Sequence, residues 1–222
     1  MPINLDSFKP GLFISVSNLF SQGALGAQND KSYECQVFNA DKTLTILAAV
    51  EGSNGVHYGT TSEQNINFLP YKENNNLYIE LGGDQDVMSG VFNGCFMTKY
   101  KRKGDIYYRF AHIDTSIPKY GNGFFSNHKQ DEFSACFRPS MLGDVGSLQA
   151  PLKAGMRLPK GLEMKTNRKL DGAFGLITAS GEAFRFFVAP VRDTTSNTIM
   201  LVILSHPENV MNLNPEEISF MK

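Results

Sequence analysis

The sequence predicts an α+β, strand-rich chain: a β-sandwich with peripheral helices and long surface loops. About eight segments are rich in β-branched and aromatic residues and end at turn formers, whereas only two stretches read as helical, and both are short. The composition agrees, with 41% hydrophobic and 19% charged residues, 20 Gly and 10 Pro. At 222 residues the chain is expected to form a single domain, 1–222, and to bury roughly 70% of its unfolded surface without a metal or disulfide staple.

Taken in order, "DSFKPGLFISVSNLFSQ" (6–22) is read as a helix. Strands are predicted over 44–52, 76–83, 90–100, 105–113, 132–137, 173–179, 183–191 and 198–205. Ser180, Gly181 and Glu182 sit between two apolar runs as a hairpin turn, and "RDTTSN" separates the next pair, so the C-terminal third is expected to form a three-stranded meander. The stretches 115–131 and 138–171 are read as surface loops with about one helical turn. At the C-terminus, Asn214 is placed to cap a helix opened by Pro215, with Glu216 and Glu217 near its positive end.

Lys and Arg number 21 against 22 Asp and Glu, a net charge of -1. That balance argues against bulk electrostatic binding to nucleic acid or an anionic membrane. No run of about 18 apolar residues is present, so no membrane-spanning helix is expected. The apolar patch near the start follows an acidic residue and contains Ser and Asn, which reads as mature sequence rather than a Sec signal peptide. The odd number of cysteines, Cys35, Cys95 and Cys136, leaves a free thiol and fits a reducing compartment. Cys35 and Cys136 read as core, Cys35 on a partly exposed strand. His57 and His128 read as loop residues and His206 as a surface turn. None of these histidines has ligand spacing, and no metal and no cofactor is expected. Common nucleotide, esterase and zinc-protease motifs are absent.

The segment "SGVFNGCFMTKYKRKGDIYYRFAH" (89–112) contains Cys95 and His112. Gly104 permits a two-residue turn with Lys103. That turn sets Arg102 opposite Asp105, Tyr100 opposite Tyr107, Met97 opposite Phe110 and Cys95 opposite His112, with Cβ atoms about 4.5 to 5.5 Å apart. A free thiol is only about 3% thiolate at neutral pH; a neighbouring imidazole raises that fraction and can then protonate a leaving amine. The plainer reading of Cys95 is a small buried hydrophobe. Lys101, Arg102 and Lys103 form a cationic hairpin tip, read either as a solvated turn or as a docking surface for an acidic patch on a substrate protein.

Ser89, Cys95 and His112 resemble the Thr, Cys and His constellation of the glutamine deamidases that include the chemotaxis receptor deamidase, the cytotoxic necrotizing factors and Burkholderia lethal factor. A hydroxyl residue stands six positions before the Cys, the Cys follows a short apolar and small run, here Phe92-Asn93-Gly94, and the His follows on a neighbouring strand. Ser89 replaces the usual Thr, and Asn93 widens the turn. The resemblance implies a β-sandwich and a cofactor-free hydrolysis of protein glutamine to glutamate, with Cys95 as nucleophile, His112 as proton carrier and Ser89 orienting the imidazole. Backbone N–H groups of the Asn93–Gly94–Cys95 turn would hold the oxyanion. By the same resemblance the chain is expected to be a bacterial toxin or effector, secreted or translocated and acting in host cytosol or otherwise cytoplasmic, its partner a host protein such as a translation-initiation RNA helicase; a monomer is expected. The same dyad also serves a thiol peptidase or an acyltransferase, including a transglutaminase. In a non-catalytic β-sandwich binding module, Cys95 would be packing alone.

Overall fold

The computed structural model describes residues 2–16, 19–20, 24–140, 156–165 and 172–218. Its strands are β1 (Phe13–Ser15), β2 (Glu34–Gln36), β3 (Asp41–Gly52), β4 (Gly55–Pro70), β5 (Asn76–Leu81), β6 (Val87–Phe92), β7 (Phe96–Lys101), β8 (Tyr108–Ile113), β9 (Glu132–Phe137), β10 (Leu162–Met164), β11 (Gly172–Ile177), β12 (Ala183–Asp193), β13 (Ile199–Ile203) and β14 (Glu208–Val210). The helices are α1 (Pro118–Asn127) and α2 (Pro215–Ile218). The fold is mostly β and sandwich-like, built from two sheets.

The larger sheet runs β10-β12-β11-β6-β4-β3-β1-β13, with β14 also on β12. Because β13 pairs with β12 as well as β1, the circuit closes on itself. Its enclosed side is apolar: Ile14, Ile46, Phe68, Met88, Phe174, Phe186 and Leu201 belong to one buried cluster, contributed by all seven strands of the circuit. The smaller sheet has the order β2-β5-β8-β7-β9. A second cluster joins the sheets, with Leu69, Val87, Phe92 and Ile177 from the first meeting Leu77, Cys95, Met97, Phe110 and Phe137 from the second. The far face of the smaller sheet is covered by Phe124 and Phe125 of α1 and Ile218 of α2.

The C-terminal meander β11-β12-β13 forms as predicted, and Asn214 caps α2, its Oδ1 accepting the Glu216 N–H at 3.1 Å. Other expectations are corrected. The predicted strand 90–100 is two strands, β6 and β7, broken at Asn93–Cys95. Part of the predicted helix 6–22 is instead β1, which is inserted between β3 and β13. Pairing on both edges outweighs the local helical pattern. The polar β4 follows β3 through a tight turn and is held along its length by that strand. The predicted loop 115–131 contains α1 despite Gly121 and Gly123, because Phe124 and Phe125 bury against the sheet. Within 138–171, Leu162–Met164 pairs with β12; residues 141–155 and 166–171 lie outside the described residues.

Glu34 was expected on a partly exposed strand but is buried. Its carboxylate accepts from Ser32 Oγ at 2.6 Å, His128 Nε2 at 2.9 Å, Arg102 at 2.9 Å and the Tyr100 hydroxyl. His128 is therefore not a loop residue: it ends α1, buried, with its other nitrogen 2.6 Å from Asp131. Burial pushes the Glu34 carboxyl up, yet the hydrogen bond and charge of His128, with the Ser32 and Tyr100 hydroxyls, bring it down to about 2. The stability this contributes is complete above the ordinary carboxylate value of 4.5 and is lost as pH falls toward 2. Replacing Glu34 with Ala leaves three buried donors without an acceptor, and urea unfolding is expected to show a loss of about 3–5 kcal/mol at pH 7 that shrinks toward pH 2.

Candidate active site

The Arg102–Asp105 turn forms, closed by the Asp105 N–H on the Arg102 carbonyl at 3.0 Å with Gly104 at φ +90°. Pairing does not resume at once. Ile106 and Tyr107 extend the connection, Arg109 takes Glu80 at 2.6 Å and Asp105 at 3.4 Å, and Tyr100 pairs with Arg109 rather than Tyr107. Consequently Met97, not Cys95, stands opposite His112, and Lys99, not Met97, stands opposite Phe110. The displacement is two residues, which preserves the face because side chains alternate with period two. Cys95 and Met97 share one cluster while Phe96 lies in another. Cys95, one residue before β7, lies on the Met97 side of the chain, and no hydrogen bond joins its sulfur to His112, whose Nε2 has no partner.

Ser89 lies on β6 beside Leu69 of β4 and Gly175 of β11, and it faces the smaller sheet. A Cβ on Gly175 would come within 2.9 Å of both Met97 Sδ and Pro139, so only glycine lets the sheets approach here. The Ser89 hydroxyl donates to the Leu69 carbonyl at 2.7 Å and stands 2.9 Å from His112 Nδ1. One hydroxyl has one proton, already given to Leu69, so the bond to His112 runs from Nδ1–H to Ser89 Oγ. The remaining nitrogen, Nε2, then presents a lone pair. It is buried and has no hydrogen-bond partner. Phe92 stacks on the ring at 3.9 Å and Tyr71 lies against it at 5.0 Å.

Gly94, at φ +97°, makes the sharp turn before Cys95. Its N–H donates to Ser140 O at 3.2 Å, so that donor is engaged rather than open to an oxyanion. The Thr115 hydroxyl holds the Gly94 carbonyl at 2.9 Å, and Ser140 Oγ holds the Phe92 carbonyl at 2.6 Å. Asn93 Oδ1 is buried without a hydrogen-bond partner. Asp114 is fully buried and accepts the Asn74 and Ser116 N–H groups at 2.7 and 2.8 Å.

Burial pushes the Cys95 thiol up to about 11; Thr115 donors and Arg138 oppose that rise and Asp114 adds to it. Burial alone brings the His112 imidazole down to about 3. The resting pair is therefore neutral thiol and neutral imidazole, each held so by exclusion of water. Cys95 is 7% exposed and His112 1%.

The predicted docking residues separate. Arg102 turns inward onto Glu34, Lys101 lies 5.6 Å over the Tyr108 ring, and Lys103 is exposed at the turn. Cys35 and Cys136 are buried as predicted. His57 lies exposed within β4 rather than in a loop, and His206 is exposed. Tyr71, Asp114 and Thr115 were not singled out from sequence. Tyr71 follows the end of a different strand, and no spacing rule ties it to His112. Among the described residues no helix is long and apolar enough to cross a membrane.

Comparison with known proteins returns no family model, no curated protein and no solved structure that matches the chain.

Since His112 is neutral in the folded state down to about pH 3 but ordinarily titrates near 6.5, the unfolded chain takes up a proton that the folded chain refuses. Stability should fall as pH drops from 6.5 toward 3, by roughly 3–5 kcal/mol from this group. Denaturation curves across that range should lose this part of the slope in His112→Gln.

Proposed function

We propose that the protein is a cysteine-dependent protein-glutamine deamidase, with Cys95 as nucleophile, His112 as proton carrier and Ser89 as the residue that positions the imidazole. The observation that carries this reading is the orphaned Nε2. Ser89 and Leu69 hold the proton on Nδ1, leaving an unpartnered lone pair on Nε2, and Cys95 packs in one cluster with Met97, the residue opposite His112. A buried acceptor without a donor costs about 1–3 kcal/mol, and a structural histidine gains nothing by it.

In the reaction the Cys95 proton passes to His112 Nε2 as sulfur attacks the side-chain carboxamide carbon. The tetrahedral adduct then breaks its C–N bond, the imidazolium proton leaves with ammonia, and a thioester remains. Water, deprotonated by Nε2, attacks that thioester. Glutamate and the Cys95 thiol are released. Because both groups rest neutral, proton transfer accompanies attack, as in a general-base mechanism, rather than preceding it as a stored ion pair. The resemblance to the lethal-factor branch supports a bacterial effector that modifies a host protein, a translation-initiation RNA helicase being the first candidate.

The burial of Cys95 favours a second reading, a non-catalytic binding module in which the thiol is packing. That reading leaves the empty Nε2 without a purpose. Incubation with host extract separates the two. Wild-type protein should release ammonia and add about one dalton to a target glutamine, Cys95→Ser should do neither, and a peptidase would leave fragments instead. Ser89→Ala should lower kcat about 10–100-fold with little change in KM, because the lost contact orients the base and does not touch substrate. A wild-type digest indistinguishable from Cys95→Ser would remove the proposal.

A further inference from the structure

A thiol and an imidazole buried as deeply as Cys95 and His112 cannot meet a glutamine side chain on another protein unless something moves. Among the described residues, the side chains around the pair narrow the choice. Thr115 is tied down by its hydrogen bond to the Gly94 carbonyl at 2.9 Å. Arg138 lies flat over the Phe96 ring at 4.3 Å. Phe92 covers His112 but is itself fully buried in the cluster between the sheets.

Tyr71 differs from all three. It is half-buried, with its ring centred 5.0 Å from the His112 ring and tilted by 40°. It packs against the edge of the cluster that contains Cys95 and Met97. Its hydroxyl makes no hydrogen bond among the described residues, so contacts of the ring hold it in place. Burial raises the hydroxyl's pKa, and the nearby Asp114, Cys95 and Glu73 raise it further.

The backbone that carries Tyr71 suits a moving part. The ring follows Pro70, the last residue of β4, where the chain leaves the larger sheet. The connection to β5 is short and bears the exposed residues Glu73 and Asn74. Its far end is pinned by the Asn74 N–H on Asp114 at 2.7 Å, and Asp114 is two residues from His112. Rotation of the Tyr71 side chain can therefore proceed without parting either sheet.

We propose that Tyr71 is the gate of the dyad: its ring closes the route from solvent to Cys95 and His112, and displacement of that ring admits the substrate side chain. The inference rests on the assignment of the pair as a reactive site, and it concerns access rather than chemistry. The catalytic groups stay dry and neutral until a substrate displaces the ring. An exchange of one aromatic contact for substrate contact then replaces any separation of the sheets.

The three buried cysteines supply the test. Intact protein is treated with iodoacetamide at pH 8, and the alkylation of each cysteine is followed by peptide mass spectrometry. In wild type, Cys95 should react as slowly as Cys35 and Cys136. In Tyr71→Ala, Cys95 should react about tenfold faster or more while Cys136 keeps its wild-type rate, the mark of local opening rather than unfolding. Tyr71→Phe keeps the ring and should match wild type. Should Tyr71→Ala expose all three thiols together, Tyr71→Leu, which preserves apolar packing with less cover, replaces it as the deciding variant and should accelerate Cys95 alone. A wild-type Cys95 rate in the deciding variant overturns the proposal. Alkylation requires no substrate, so a gate can be found in a protein that deamidates nothing, and deamidation can persist where no gate is found.

Discussion

The hydrogen bond between Ser89 and His112 joins the two sheets inside their shared buried core. It runs from the smaller sheet into the larger, and the serine hydroxyl passes the connection on to the carbonyl of Leu69 on β4. Because Ser89 and His112 have almost no contact with water, neither partner has an alternative acceptor or donor in solvent. That constraint decides the tautomer of the imidazole, and the tautomer decides which nitrogen is left without a proton. A buried polar group normally finds its partner. Here one nitrogen is satisfied across the interface and the other has no hydrogen-bond partner.

The rest of the neighbourhood maintains that arrangement. Gly175, next to Ser89 in the sheet, has no side chain to hold Met97 away, so β7 settles close to β11. Gly94 turns the chain sharply enough to return β7 immediately after β6, and its two peptide groups are fastened by Ser140 and Thr115. Asp114 joins the end of β8 to the connection after β4. The Glu34, Tyr100, Arg102 and His128 cluster then fixes the far side of the smaller sheet to α1. These contacts tie down the backbone around Ser89, Cys95 and His112.

Burial acts on the two groups in opposite directions, raising the thiol and lowering the imidazole. Both shifts favour the uncharged forms. A thiol held in this way contains little thiolate at neutral pH and is inert toward stray electrophiles. The cationic hairpin tip takes little part in this. Arg102 is spent on Glu34, and the exposed charge that remains at the turn is Lys103.

Much of this was legible in the sequence, for local reasons. Alternating apolar residues and turn formers marked the C-terminal meander, and Gly104 marked the turn that brings β7 back along β8. Cys95, His112 and Ser89 stood out by type and order, and the period-two alternation of a strand kept the first two on one face even though the pairing lies two residues from its predicted register. Tertiary structure decided what no local pattern contains. β1 became a strand because two other strands lie against it, α1 became a helix because two phenylalanines needed burial, and β4, polar along most of its length, was stabilised by pairing rather than by composition. The contacts of Glu34 with Tyr100, Arg102 and His128, and of Tyr71 with His112, join residues tens of positions apart. Sequence by itself determines which side chains carry chemistry and which face they occupy, since both follow from residue type and backbone period. Which of them meet, how dry they are and which nitrogen holds the proton depend on the packing of one sheet upon another, and that is a property of the whole chain.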